Sequence, residues 1–138
     1  MGCYLWAFCK KISPFVFETI FFTPKSIQEM PPTKKTIRIL KEIKATLQTH
    51  FGEEIVEVIL FGSRANGKPH RWSDYDLLIL LKSPYKSQME DDILNKLYDV
   101  TLKYNIIPDN HFLALGELNT LKGRQPIFIN AMNSGFYA

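Results

Sequence analysis

The chain has 138 residues, a formal charge of +3 and 46% hydrophobic residues. That length suits one small domain with a real core, and apolar content near half with mixed charge excludes a disordered chain. The small positive excess is compatible with binding phosphates but demands no nucleic-acid partner.

Both cysteines, Cys3 and Cys9, lie near the N-terminus. With no second Cys/His cluster they form neither a zinc site nor a disulfide framework, and the cysteine-free remainder fits a reducing cytoplasm. Residues 1 to 29 are aromatic-rich, carry Pro14 and Pro24, and sustain no period of 3.6 or 2. Their apolar runs are too short and interrupted to span a bilayer, and they lack the layout of a signal peptide. Trp6 stands where a myristoylation start wants Ser or Thr. A clean amphipathic helix follows Met30 at once. We therefore expect Met30 to be the natural start, 1–29 an atypical extension, and 30–138 the functional domain.

From Thr33 the order is regular. Ile37, Leu40, Ile43, Leu47 and Phe51 recur on one helical face, with Lys34, Lys35, Arg38, Lys41 and Lys44 around it and Gly52 as terminator. The basic face reads as a solvated surface. Residues 54–61, EIVEVILF, form a buried strand, and Gly62-Ser63 ends it. SRANG reads as a short helical turn closed by Gly67, and KPHRW as loop. Residues 74–81, DYDLLILL, form a second buried strand ended by Ser83-Pro84. Met89, Ile93, Leu97, Val100 and Tyr104 define a second long helix. NIIPDNHFLAL is a third strand, with Pro108 marking an edge or a bulge. GELNTLKG and QPIFINAMNSG read as two short helices, Pro126 in the first turn of the latter and Gly135 at its end. The fold class is α/β (α+β): a small mixed sheet flanked by helices.

The chemistry concentrates between residues 59 and 80. Side chains at i and i+2 of a strand share a face, with Cα atoms about 6.5–7 Å apart, so Asp74 and Asp76 project together. Like charges that close repel unless something positive sits between them, and an oxygen-rich site suits Mg²⁺. Both are also ordinary residues for a turn where a strand begins. Gly62-Ser63 leads from a strand into a helical segment, presenting backbone N–H groups and the Ser63 hydroxyl where phosphate is favoured.

Gly62, Ser63, Ala65, Gly67, Ser73, Asp74, Asp76 and Leu77 together match the pattern Gly-Ser-x-Ala-x-Gly, loop, Ser-Asp-x-Asp-Leu. In this the sequence resembles the nucleotidyltransferase superfamily with the DNA polymerase β-like fold, and most closely its minimal nucleotidyltransferases, from about residue 33 to the end. The resemblance implies transfer of a nucleoside monophosphate, AMP from ATP, with pyrophosphate leaving. It implies that Asp74 and Asp76 ligate two Mg²⁺ ions about 3.5–4 Å apart and that Gly62 and Ser63 hold the β- and γ-phosphates. The family's third carboxylate, which completes the second metal site and helps deprotonate the nucleophile, has Asp109 as its candidate here; the same residue also reads as a turn carboxylate after proline. His111 would share its face, as ligand, base or structural residue. Arg64 either reaches a phosphate or braces the Asp loop. Lys68, His70 and Arg71 are loop charges, either solvated or, for one of them, in contact with the triphosphate or the acceptor; Trp72 reads as packing rather than a base-stacking platform, and Tyr75 as core.

Little remains beyond a catalytic core, so the acceptor is expected to be held by another subunit or partner. The minimal family resembles antitoxins paired with a HEPN-domain ribonuclease toxin, which implies AMP transfer onto that partner, often at a tyrosine, in the cytoplasm. Nucleic acid is possible but not indicated, and no membrane is expected. Two alternatives stay open: transfer to RNA or a small hydroxyl compound, and a non-catalytic antitoxin that masks its partner.

Overall fold

A computed structural model describes residues 31–67 and 69–138; the expectations for the extension, Met30 and Lys68 lie outside these residues. The elements are α1 (Lys34–Phe51), β1 (Ile55–Phe61), the single turn α2 (Gly62–Ala65), β2 (Tyr75–Leu81), α3 (Ser87–Tyr104), β3 (Pro108–Ala114), α4 (Pro126–Ser134) and β4 (Phe136–Tyr137). The Thr33 hydroxyl caps α1 by accepting the Thr36 N–H at 3.2 Å, and Gly52 ends it at φ +57°. The buried stripe of α1 is Thr36, Ile39, Leu40, Ile43 and Leu47. Ile37, expected on that face, lies half-buried at its edge.

The sheet order is β3-β2-β1-β4, with β1 antiparallel to β2 and β4, and β2 parallel to β3. Alternation along β1 and β2 divides the core. Val58, Leu60, Leu77 and Ile79 pack with Ile39 and Ile43 of α1 and Ile93 and Leu97 of α3. Ile59, Leu78 and Leu80 on the other face pack with Phe128 and Met132 of α4. Both central strands are covered on both faces, which is why each reads as an almost unbroken apolar run. Pro108 opens β3, an edge strand, where its missing N–H costs no ladder bond.

Two features depart from expectation. GELNTLKG is not an α-helix but a 3₁₀ turn, Leu115–Glu117, followed by turns. The chain folds back so closely that a Cβ at Gly123 would overlap the Glu117 and Leu118 backbone. The Glu117 carboxylate accepts the Ala114 N–H at 2.9 Å and pairs with Lys122 at 3.1 Å. Lys122 also donates to the Tyr85 hydroxyl at 2.6 Å, and that hydroxyl donates to the Phe112 carbonyl at 2.9 Å. The bonds through Tyr85 are long-range and hold the segment where helical bonds would otherwise do so.

The second departure is a charge in the core. A bulge at the start of β1 accompanies burial of Glu57, whose carboxylate meets Lys44 at 2.7 Å and the Val58 N–H at 3.0 Å. Removing one partner of a buried pair strands the other charge. Lys44→Met is therefore expected to lower unfolding free energy by about 3 kcal/mol, with Lys44→Met/Glu57→Leu recovering most of the loss. Urea unfolding of both variants measures it.

Candidate active site

The second residue of β2 is Asp76, and the two-residue period sends its side chain to the face of Leu78 and Leu80. In the ladder Asp76 stands opposite Phe61 of β1 on one side and Asp109 of β3 on the other. Neighbouring strands lie about 4.8 Å apart, so Asp76 and Asp109 are lateral neighbours on one face. Pro108 pairs in step with Tyr75 and introduces no register shift. Asp74 sits just before β2 and is exposed. Burial pushes the Asp76 carboxyl above its ordinary range, and the charges of Asp109 and Asp74 push it further, with His111 opposing.

These carboxylates are hard oxygen donors of the kind Mg²⁺ selects, and their mutual repulsion at Asp76 is what a divalent cation would relieve. Among the described residues no three His, Cys, Asp or Glu side chains are gathered tightly enough to enclose an ion. The donor set is open. His111 Nε2 lies 3.3 Å from Asp109 Oδ2, within ion-pair range but not in hydrogen-bond geometry, and its ring sits 5.6 Å from that of Phe61.

The Gly-Ser turn comes to the same place. Gly62 directly follows Phe61, adopts φ +72°, and carries its bare Cα so close beneath Asp76 that a Cβ would overlap Asp76 Oδ2. Glycine is required here by the carboxylate itself. Gly62 opens the turn α2, Ser63 follows it, and Ala65 anchors the turn in the core.

Arg64 braces the Asp loop. Its Nε donates to the Ser73 carbonyl at 2.8 Å and its guanidinium stacks 4.2 Å from the centre of the buried Tyr75 ring. Ser73 closes the loop from within, its hydroxyl accepting the His70 N–H at 2.7 Å and its own N–H donating to the His70 carbonyl at 3.0 Å. The Arg64–Tyr75 stack was not legible from sequence, which showed a cation and a core aromatic eleven positions apart. Arg64→Ala is expected to cost about 2 kcal/mol, the scale of a charged hydrogen bond plus a cation–π contact, and to speed amide exchange over residues 70–75. Arg64→Lys should restore less than half, lacking the planar fork. Trp72 corrects the packing expectation: it is 78% exposed, with the Arg71 guanidinium 5.2 Å from its ring.

With this geometry in view, comparison with known proteins gives a direct result. The nucleotidyltransferase domain family matches residues 40–127, more than half of the chain. The chain belongs to that family. The match runs from within α1 to the start of α4 and so contains the whole Gly62–Asp76 stretch together with Asp109. Two similar proteins of Methanocaldococcus jannaschii carry the name "Putative protein adenylyltransferase". To MJ0141 this nucleotidyltransferase is 37% identical over 71 residues, 51% of its own length and 72% of the relative's. To MJ1305 it is 30% identical over 90 residues, 60% of its own length and 61% of the relative's. The fold agrees: a mixed sheet flanked by helices, as in polymerase β-like nucleotidyltransferases. The protein is a nucleotidyl-transferring enzyme that uses a nucleoside triphosphate. Among the described residues no helix is long and apolar enough to cross a membrane.

Proposed function

We propose that this nucleotidyltransferase moves AMP from ATP to a hydroxyl on a protein, and that the acceptor is a HEPN-type ribonuclease toxin which it silences as a cytoplasmic antitoxin. The observation that carries the transfer chemistry is the register of Asp76 beside Asp109, directly above the bare Cα of Gly62. The protein acceptor is supported by the names of the two relatives. The HEPN partner rests on the resemblance to minimal nucleotidyltransferase antitoxins.

In the reaction the acceptor oxygen forms a bond to the α-phosphorus of ATP, the bond from that phosphorus to the bridging oxygen breaks, and pyrophosphate leaves. Asp109, more exposed than Asp76, takes the hydroxyl proton. Asp74, Asp76 and Asp109 would hold Mg²⁺, which supplies neutralisation of the triphosphate charge when bound. Gly62 and Ser63 receive the β- and γ-phosphates at the backbone of the turn. Arg64 keeps the loop that carries Asp74 in place. The protein's contribution is positioning and charge.

Purified protein, Mg²⁺ and ATP labelled on its α-phosphate, with and without the product of the adjacent gene, tests this by intact mass. An AMP-sized gain on the partner, absent with Asp74→Ala/Asp76→Ala, is the expected result. A tight, silencing complex without transfer would instead establish masking. Label appearing only on added RNA or a small hydroxyl compound would move the acceptor out of the protein class.

A further inference from the structure

Asp109 stands on β3, an edge strand, and its side chain is 57% exposed. A carboxylate so placed samples several rotamers. Ordering it around a cation or a proton costs conformational entropy unless a neighbour fixes it beforehand.

His111 is placed to be that neighbour. Two residues further along β3, it shares the face of Asp109 and pairs with Leu78 in the ladder, one step in from the Asp76–Asp109 pair. Its ring meets the Phe61 ring at 5.6 Å and 51°. Phe61 ends β1, stands opposite Asp76, and directly precedes Gly62. The imidazole, 25% exposed, is thus packed between the strand that feeds the Gly-Ser turn and the carboxylate of β3. Its Nε2 is closed to solvent, has no hydrogen-bond partner among the described residues, and lies 3.3 Å from Asp109 Oδ2. A buried donor left unpaired is costly. His111 is the fixed member of the pair and Asp109 the exposed one.

These surroundings separate the roles open to Nε2. Mg²⁺ selects oxygen donors, and a general base must reach the incoming hydroxyl. A nitrogen closed to solvent suits neither task. We propose that His111 is a positioning residue for Asp109: Nε2–H donates to Oδ2 once the exposed carboxylate turns on its side-chain bonds, which leaves Oδ1 for the cation and the acceptor proton. Carboxylates that hold metals are commonly hydrogen-bonded in this way. The neutral ring suffices as donor. The inference rests on the reading of Asp109 as a metal-holding carboxylate.

Mn²⁺ binding, read from the electron paramagnetic resonance signal of the free ion, tests it alongside thermal unfolding of the metal-free protein. His111→Leu should weaken Mn²⁺ binding about 10–100-fold, the scale of losing an outer partner of a ligand. Its metal-free melting temperature should stay level or rise, because the substitution also removes an unpaired buried nitrogen. His111→Gln carries an amide N–H near the place of Nε2 and should recover most of the affinity; the shorter His111→Asn should not. Transfer activity should follow the same order, with the deficit of His111→Leu narrowing as Mg²⁺ is raised, which a packing defect would not do. If His111→Leu does not fold, the Gln and Asn variants carry the comparison. Equal Mn²⁺ affinity in the parent and His111→Leu overturns the role, as does a Gln variant no better than Asn. No Mn²⁺ binding by the parent overturns the metal set and this role with it. Affinities ranked as expected, with no transfer by any variant, would uphold the role of His111 and remove only the proposed reaction.

Discussion

Asp76→Asn is expected to lower kcat/KM for nucleotidyl transfer by about 10³-fold or more, the scale of losing a preorganised electrostatic group, while raising the stability of the protein without Mg²⁺. The two effects have one cause. Burial and the charges of Asp109 and Asp74 hold the Asp76 carboxyl above its ordinary value of 3.8. The folded state therefore binds the proton more readily than the unfolded state, and stability falls as pH rises through the window between the unfolded and the raised value. Asparagine keeps the shape and removes the charge, so its stabilising effect is present at neutral pH and disappears below the unfolded carboxylate range. Mg²⁺ should raise the melting temperature of the unsubstituted protein and leave that of Asp76→Asn nearly unchanged, because a ligand stabilises only the state that binds it. Thermal unfolding at pH 7 and pH 3, with and without Mg²⁺, measures all of this. A variant less stable than the parent at neutral pH would make Asp76 a structural carboxylate.

The sequence carries such a site legibly where local pattern decides structure. β1 and β2 are legible because central strands covered on both faces must be apolar throughout, and α3 because Met89 to Tyr104 keeps helical spacing. Strand period suggests that Asp74 and Asp76 stand together; Asp74 sits just before β2, near enough for its charge to push the Asp76 carboxyl up. Asp109 was reachable only through the family pattern, since nothing local says that β3 runs parallel to β2 and in step with it. What local pattern could not show depends on contacts between distant segments. β4 has two residues, Phe136 and Tyr137, and exists only because the edge of β1 is available to pair with it. The segment from Leu115 to Arg124 has helix-compatible residues, but Gly123 lies against the Glu117 and Leu118 backbone and Lys122 reaches across to Tyr85. Lys44 reads in sequence as one of several solvated lysines, but the buried Glu57 pairs with it at 2.7 Å. Arg64 reads in sequence as a phosphate contact or a brace, and its bonds to the Ser73 carbonyl and the Tyr75 ring are those of a brace.

Gly62→Ala is expected to reduce kcat/KM about 100-fold, the scale of a misplacement of about 1 Å in a positioned group, without unfolding the protein. A methyl group there meets two obstacles that can be separated. One is the backbone, since φ +72° is a conformation that costs a non-glycine residue about 1–2 kcal/mol. The other is Asp76, whose Oδ2 occupies the space the methyl would need. In an Asp76→Ala background the second obstacle is gone, because the Asp76 Cβ would stand 3.5 Å from the new methyl, an ordinary contact. The destabilisation caused by Gly62→Ala should therefore be smaller in that background, leaving only the backbone part, and a double-mutant cycle in urea should show coupling of about 1 kcal/mol. Such coupling ties the turn glycine to a carboxylate fourteen positions away in sequence. Equal losses in both backgrounds would mean that the glycine serves the backbone turn alone, and that Asp76 has freedom to sit elsewhere.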